Sequence, residues 1–370
     1  MDDDATEEGL LHQLGSKVKS FQSTLERIVL LSNRERKTAK QFNVPLRRRL
    51  WLWRHGFLTE AGVCLDLSEE TVDDYLSNYQ RDVKTKDING KTGRVLDDKL
   101  AFHQLLEGRF GDYLPELYTY AADGIYYDIE VNPSFDTLEW LLERVEHGSG
   151  LVIKPRTGGG GEGIYIIDRL DGEVRINGTP VPLSEVERRL ADLDEYLIYE
   201  RVKQAKYAND IYPGATNTIR ALTMIDPETG EPFIATVGHR FGTDTSAPVD
   251  NWSNGGISTP IKGESETLGA AIQPQHAGGI TWTEQHPDTG SQITGVTVPG
   301  WSRVTNELLK IAGHMPYLPY VGWDIVLTGP EGEFKIVEGN RYSDVHVLQV
   351  HEPLLADARV RRFYEYHGVI

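Results

Sequence analysis

The stretch Ile153-Lys154-Pro155-Arg156-Thr157-Gly158-Gly159-Gly160-Gly161-Glu162-Gly163-Ile164 decides how this chain is read. Gly158, Gly159, Gly160, Gly161 and Gly163 fall within six positions, so the backbone can take positive φ and come close to a ligand. Successive amide N–H groups in such a loop form an anion-binding concavity. Lys154, closing the apolar run Leu151-Val152-Ile153, adds a point charge for a phosphate. The loop has no Gly-Lys-Ser/Thr ending, which excludes a Walker A loop. The glycines run into Ile164-Tyr165-Ile166-Ile167, β-branched and aromatic, so a strand. A Rossmann loop must open a helix, and that alternative fails too. The unit reads as a hairpin whose glycine-lined tip folds over phosphates. A merely pliant hairpin would not need Lys154.

A second hairpin is written near the C-terminal end. Gly322-Trp323-Asp324-Ile325-Val326-Leu327 meets a turn at Gly329-Pro330-Glu331-Gly332, and Phe334-Lys335-Ile336-Val337-Glu338-Gly339-Asn340 returns from it. Period two puts Glu338 and Asn340 on one strand face. A hairpin centred on Glu331 sets positions 324 and 338 opposite each other, with Cβ atoms about 4.5–5.5 Å apart. Two adjacent carboxylates repel unless a cation joins them. Hard oxygen ligands in small number suit Mg²⁺, which keeps waters and shares substrate phosphates. The competing reading is a solvated acidic face. The metal reading requires this register, because a slip of one residue sends Glu338 to the face opposite Asp324.

The remaining sequence bounds the function. The chain has 370 residues, too many for one compact core, and suits two or three lobes. At 39% hydrophobic it can fill them, so global disorder is excluded. Formal net charge is −18, which argues against wrapping nucleic acid and against an anionic membrane surface. With 24 Arg against 14 Lys, that acidity suits a halophile-like solvent of high salt. A lone cysteine, Cys64, excludes an intrachain disulfide and a multi-thiolate metal site, and reads as a small buried hydrophobe. The acidic start, with no apolar block behind it, predicts a cytoplasmic chain without signal peptide or membrane insertion.

Leu11, Leu14, Val18, Phe21, Leu25 and Ile28 recur at spacings of three and four, predicting a helix docked on its own core or, alternatively, pairing a homodimer. Arg47-Arg48-Arg49 with Trp51 and Trp53 predicts a helix with a solvated arginine face and buried indoles, and Ser68–Leu76 a capped helix. The polar loop 87–94 marks the first boundary. Asp97-Asp98-Lys99 opens a helix through Leu106, and strands are expected at 195–199, 218–225 and 233–237. Residues 240–300 read as loop-rich. The resulting domains are 1–94, 95–200 and 201–370.

Taken together, a lysine on an early helix, a lysine before a glycine flap, a strand ending in Glu and a terminal Asp…Glu-x-Asn set resemble the ATP-grasp superfamily. Within it the chain resembles the sugar-transfer-associated ATP-grasp proteins and their α-L-glutamate ligase-like relatives, from about Asp74 to about Leu355. Further support comes from Asp98-Lys99-Leu100, Asn217-Thr218-Ile219-Arg220, Asn251 with Gly255-Gly256, and His286-Pro287-Asp288. The resemblance implies an α/β (α+β) fold: two α/β lobes clasping ATP, beside a largely helical N-terminal region. It implies that Lys99 and Lys154 contact phosphates and that residues 158–163 form a mobile flap. Glu200 would accept from the adenine amino group and the Arg201 and Val202 backbone would meet the ring edge. Gln204 or Asp210 would take the ribose. Asp324, Glu338 and Asn340 would hold Mg²⁺, with Mn²⁺ as an alternative, and Arg220 and Arg240 would stabilise the transferring phosphoryl group. Asn217, Asn251 and His286 would reach substrate. The family's arginine two residues past the metal-binding Asn is absent, Tyr342 standing there, and Arg341 should point to the other face. The implied chemistry is ligation of a small carboxylate to an amine or other nucleophile through an acylphosphate. A phosphotransferase acting on a hydroxyl and a non-catalytic nucleotide-binding module are the alternatives.

Overall fold

The computed structural model describes residues 24–37, 39–40, 42–128, 137–147, 150–274 and 279–370. The apolar stripe before Leu25 therefore lies outside the described residues. Backbone contacts divide the chain into two compact units. The first comprises residues 1–88, 275–280 and 352–370, the second 89–274 and 281–351.

The first unit is largely helical. A helix over residues 24–37 is followed by Leu46–Arg54 and Ala61–Cys64, and Ala358–Tyr366 returns at the end. Its core includes Leu52, Phe57, Leu76, Phe363 and Tyr364. Trp51 and Trp53 are not in that core, contrary to expectation; Trp53 is exposed and Leu52 is the buried residue. The indoles instead carry guanidinium groups, Arg48 over Trp51 at 4.4 Å and Arg49 over Trp53 at 5.1 Å. Residues 68–76 form only a 3₁₀ turn at Val72–Asp74. Ser68 Oγ accepts from Thr71 N and Ser68 N donates to Thr71 Oγ, so the expected cap is formed although the helix behind it stops after a single turn. Cys64 sits here, its thiol pushed up to about 12 by burial and by Glu60.

Among its described residues, the second unit holds two sheets with helices against each. The first sheet contains β1 (Leu117–Ala122), β2 (Ile125–Asp128), β3 (Leu151–Pro155), β4 (Tyr165–Leu170), β5 (Glu173–Ile176), β6 (Thr179–Pro180) and β7 (Tyr196–Glu200). Their order is β2-β1-β7-β3-β4-β5-β6, antiparallel throughout. Leu141 and Val145 of helix Thr137–His147, with Val186 and Leu190 of helix Leu183–Ala191, close its core. The glycine stretch joins β3 to β4, with Ile153 opposite Tyr165.

The second sheet contains β8 (Ile219–Ile225), β9 (Pro232–Phe241), β10 (Ile257–Lys262), β11 (Thr267–Leu268), β12 (Ala271–Pro274), β13 (Ile280–Thr283), β14 (Tyr320–Leu327) and β15 (Phe334–Asn340). The main path is β13-β12-β10-β9-β8-β14-β15, with β11 on β10. After the end of β9, the described residues up to 300 thus carry four short strands between their loops. Helix Trp301–Gly313 buries Val304, Leu308 and Ile311 in this core, and helix Lys99–Phe110 adds Phe102 and Leu106. The polar loop around Asn89 is tied to β14: the Asn89 side chain accepts from Tyr320 N at 3.1 Å and donates to Tyr320 O at 2.6 Å.

Candidate nucleotide and metal site

Three consecutive strands present one charged rung. Arg220 on β8 is paired with Asp324 on β14, and Asp324 with Glu338 on β15. The register reaches this arrangement through a bulge. Leu327 opposes Phe334 and Ile325 opposes Ile336, but Asp324 opposes Glu338, so Val337 is the extra residue. Without the bulge, Glu338 would face Trp323 and lie on the other side of the sheet. The Val337 carbonyl accepts from Lys154 Nζ at 2.8 Å.

Asp324 is the electrostatic centre. It is 4% exposed and takes a two-point bond from Arg220, Nε to Oδ1 at 2.5 Å and Nη2 to Oδ2 at 2.8 Å. Arg240 Nη2 lies 3.1 Å from Oδ1, and Asn340 Nδ2 donates to Oδ2 at 3.4 Å. Burial pushes the Asp324 carboxyl up, but the two guanidiniums outweigh it and hold it at about 2. Arg240 continues the network. Its Nε and Nη2 donate to Thr218 Oγ at 3.0 and 2.5 Å, and Nε lies 3.5 Å from Asp250 Oδ2. Asp250 is itself buried and accepts from Thr218 N and Oγ at 2.7 and 2.5 Å. Its carboxyl is raised by burial, against the pull of Arg240. Asp250 and Thr218 were not legible as site residues, since a loop Asp in an acidic chain carries no signal.

Two lysines approach the rung from the side of the glycine loop. Lys99 opens its helix behind Asp98, whose Oδ1 accepts from Leu100 N and Ala101 N. Lys99 Nζ donates to Gly158 O at 2.7 Å and lies 3.4 Å from Glu338 Oε1. Asp98 Oδ2 also receives Arg156 Nε and Nη2 at 2.9 and 2.7 Å, tying the helix start to the loop's first turn. Lys154 is buried with its ammonium 4.3 Å from the Tyr199 ring centre. Burial, with Lys99 nearby and Glu338 opposing, lowers the Lys154 ammonium to about 8.

The remaining candidate residues occupy varied settings. Glu200 ends β7, and its Oε1 accepts from Glu116 N at 3.1 Å. The Arg201 amide donates to Gly150 O at 3.2 Å, and its guanidinium pairs with Asp168. Val202 lies in the segment after β7. Gln204 bonds to Tyr212 O, Ala215 O and Asn217 N, bracing that segment. Asp210 is paired with Lys206 on an exposed helix face. Asn217 is buried and bonded to Ala208 O, Tyr212 O and Gly242 N. His286 is buried too, its Nε2 2.7 Å from Gly242 O and its ring stacked on Tyr212. Asn251 Nδ2 donates to Gly160 O at 2.5 Å, so it borders the glycine loop. Arg341 lies 3.1 Å from Asp97.

The donor types suit a hard divalent cation, two carboxylates on one rung and an Asn amide two residues on, with the Asp324 oxygens held by Arg220 and Arg240 and the Asn340 Nδ2 turned toward Oδ2. Among the described residues no group of three or more His, Cys, Asp or Glu gathers as a metal site. None of their helices is long and apolar enough to cross a membrane.

Two antiparallel sheets, a glycine hairpin carrying a terminal lysine and an Asp…Glu-x-Asn strand pair define an ATP-grasp fold. The sequence matches the family described as sugar-transfer associated ATP-grasp over residues 74–361, and the chain belongs to that family. No curated protein matches the chain in sequence. Among solved structures it is similar to N5-carboxyaminoimidazole synthetase from Staphylococcus aureus, with 8% identity and a TM-score of 0.36 over 68% of this chain and 45% of that one. It is similar to D-alanyl-alanine synthetase A from Vibrio cholerae O1 biovar eltor str. N16961, with 11% identity and a TM-score of 0.36 over 74% and 61%. D-alanine–D-alanine ligase from Bacillus anthracis gives 12% identity and a TM-score of 0.37 over 82% and 78%. The chain thus spans less than two thirds of the length of the first two.

Proposed function

We propose that the protein is an ATP-dependent ligase that activates a small carboxylate as its acylphosphate and passes the acyl group to an amine or other nucleophile. The observation that carries this is the Arg220–Asp324–Glu338 rung, flanked by Arg240 and bordered by two lysines of the glycine-loop side. Such an arrangement concentrates fixed positive charge where a phosphoryl group gathers negative charge in transfer.

In this reading Lys99, Lys154 and the amides of residues 158–163 hold the triphosphate, and Glu200 with the backbone after it holds the base. Asp324, Glu338 and Asn340 would hold a divalent cation, which when bound neutralises phosphate charge. A carboxylate oxygen of the substrate attacks the γ-phosphorus, the bond to the bridging oxygen breaks, and ADP leaves. Arg220 and Arg240 meet the charge on the transferring oxygens. The nucleophile then attacks the acyl carbon, loses its proton, and expels phosphate. The glycine loop keeps water from the acylphosphate.

The test is a screen of ADP release with pooled carboxylates and amines in molar salt, with the product then weighed by mass spectrometry. Release that needs both pools, with a mass equal to their condensation product, is the expected result. A phosphoester formed without an amine would replace ligation with phosphotransfer. Calorimetry detecting no ATP uptake with magnesium present would remove the reading.

A further inference from the structure

We propose that Asp250 is a positioning residue for Arg240, keeping its guanidinium at the phosphoryl end of the site when Asp324 turns to a cation. The inference rests on the ATP-binding reading above. Arg240 stands between two buried carboxylates, 3.1 Å from Asp324 Oδ1 and 3.5 Å from Asp250 Oδ2. Asp324 cannot serve a divalent cation and remain the sole counter-ion of Arg240. A guanidinium with no other partner would compete with that cation for the carboxylate. Asp250 supplies the second partner, and Thr218 Oγ bridges the two, accepting from Arg240 and donating to Asp250 at 2.5 Å. The neighbours of Asp250 in sequence touch the glycine loop. A Cβ built on Gly161 would lie 3.4 Å from Val249, and Asn251 bonds to Gly160 O. The segment that fixes Arg240 is therefore also the wall of the loop that would cover the phosphates. Asp250 reaches the charged rung through Arg240 and Thr218, so it acts on the site through them.

A double-mutant cycle tests this, with Asp250→Asn, Arg240→Gln and the pair, each titrated calorimetrically with magnesium and a non-hydrolysable ATP analogue. The Asn side chain still accepts from Thr218, so the loop keeps its bond. We expect Asp250→Asn to weaken uptake about tenfold in the parent and less than about twofold in Arg240→Gln, the range that coupling of contacting residues allows. A second readout is hydrogen exchange at the Arg240 Nε–H by NMR in the metal-saturated protein, slow in the parent and fast in Asp250→Asn. If Asp250→Asn fails to fold, Thr218→Val breaks the same bridge and should show the same dependence on Arg240. Equal losses in both arginine backgrounds, or unchanged exchange, overturn the proposal while leaving ATP binding intact. A parent that takes up no analogue removes the ATP reading and this proposal together.

Discussion

The two hairpins that frame the site use glycine for opposite reasons. At the tip joining β3 to β4, a Cβ added to Gly158 or Gly159 would meet nothing within 4 Å, and Gly158 sits at φ +105°. In the acidic hairpin a Cβ on Gly322 would lie 2.6 Å from Ser343 Oγ, and one on Gly339 2.6 Å from the Phe102 ring. All eight residues of β14 are buried. One hairpin has glycine because the backbone needs latitude, the other because neighbouring atoms leave no room. If the glycine tip covers phosphates as proposed, the site joins an open cover to a fixed charged floor, and preorganised charge of that kind avoids reorganisation during reaction.

The sharpest way to break that contrast is to remove the centre of the floor. Asp324→Ala leaves Arg220 and Arg240 without their shared carboxylate, and losing one partner of a buried pair costs about 3–5 kcal/mol. Denaturant unfolding should show that loss; a change below about 1 kcal/mol would mean the rung is not rigid. Next in size is Gly339→Ala, where the methyl meets the Phe102 ring. Overpacking of this kind costs about 1–3 kcal/mol, again measured by unfolding.

Much of this floor was legible in the sequence, and the manner is instructive. The alternation of Phe334 to Asn340 announced a strand, and Asp324 opposite Glu338 came from assuming a turn centred on Glu331. The pairs near the turn are centred half a residue earlier, and the Val337 bulge restores the opposition. A bulge has no signature in a run of apolar and acidic residues, so the right register came from a simpler geometry than the real one. The glycine hairpin was legible because β-branched residues come straight after the glycines. The Asp250–Arg240 link was not, because it depends on a loop folding back over 32 residues to meet Thr218. The indoles at Trp51 and Trp53 were misjudged for a related reason: large apolar rings signal burial, yet an arginine face can cover them.

Between floor and cover lies Lys154, and pH separates its role from theirs. Its ammonium titrates near 8, against 10.5 for an unperturbed lysine, chiefly because it is buried. It is charged below that pH and neutral above it. Nucleotide affinity of the free protein should therefore fall about tenfold per unit as pH rises past 8, if one proton is lost. Lys154→Arg, which stays charged, should flatten the profile. The linkage to stability has the opposite sense. The unfolded chain holds this proton up to about 10.5, so stability rises with pH between 8 and 10.5 as the cost of burying the charge is relieved. Falling affinity with rising stability over one pH window would distinguish a buried phosphate ligand from a surface lysine.

The smallest expected effect is the most discriminating. Gly159 has no left-handed backbone and open space around it, so an alanine there meets no clash. Its main thermodynamic effect is on the unfolded chain, whose lost freedom stabilises the protein by about 0.4–1 kcal/mol. Gly339→Ala, the same change of one methyl on the floor, should be destabilising, so the two differ in sign as well as size. If the cover works by adapting to phosphates, Gly159→Ala should slow ATP-dependent turnover while unfolding stability holds or rises. Equal destabilisation at both positions would mean that the tip is packed like the floor, and the division between cover and floor would fail.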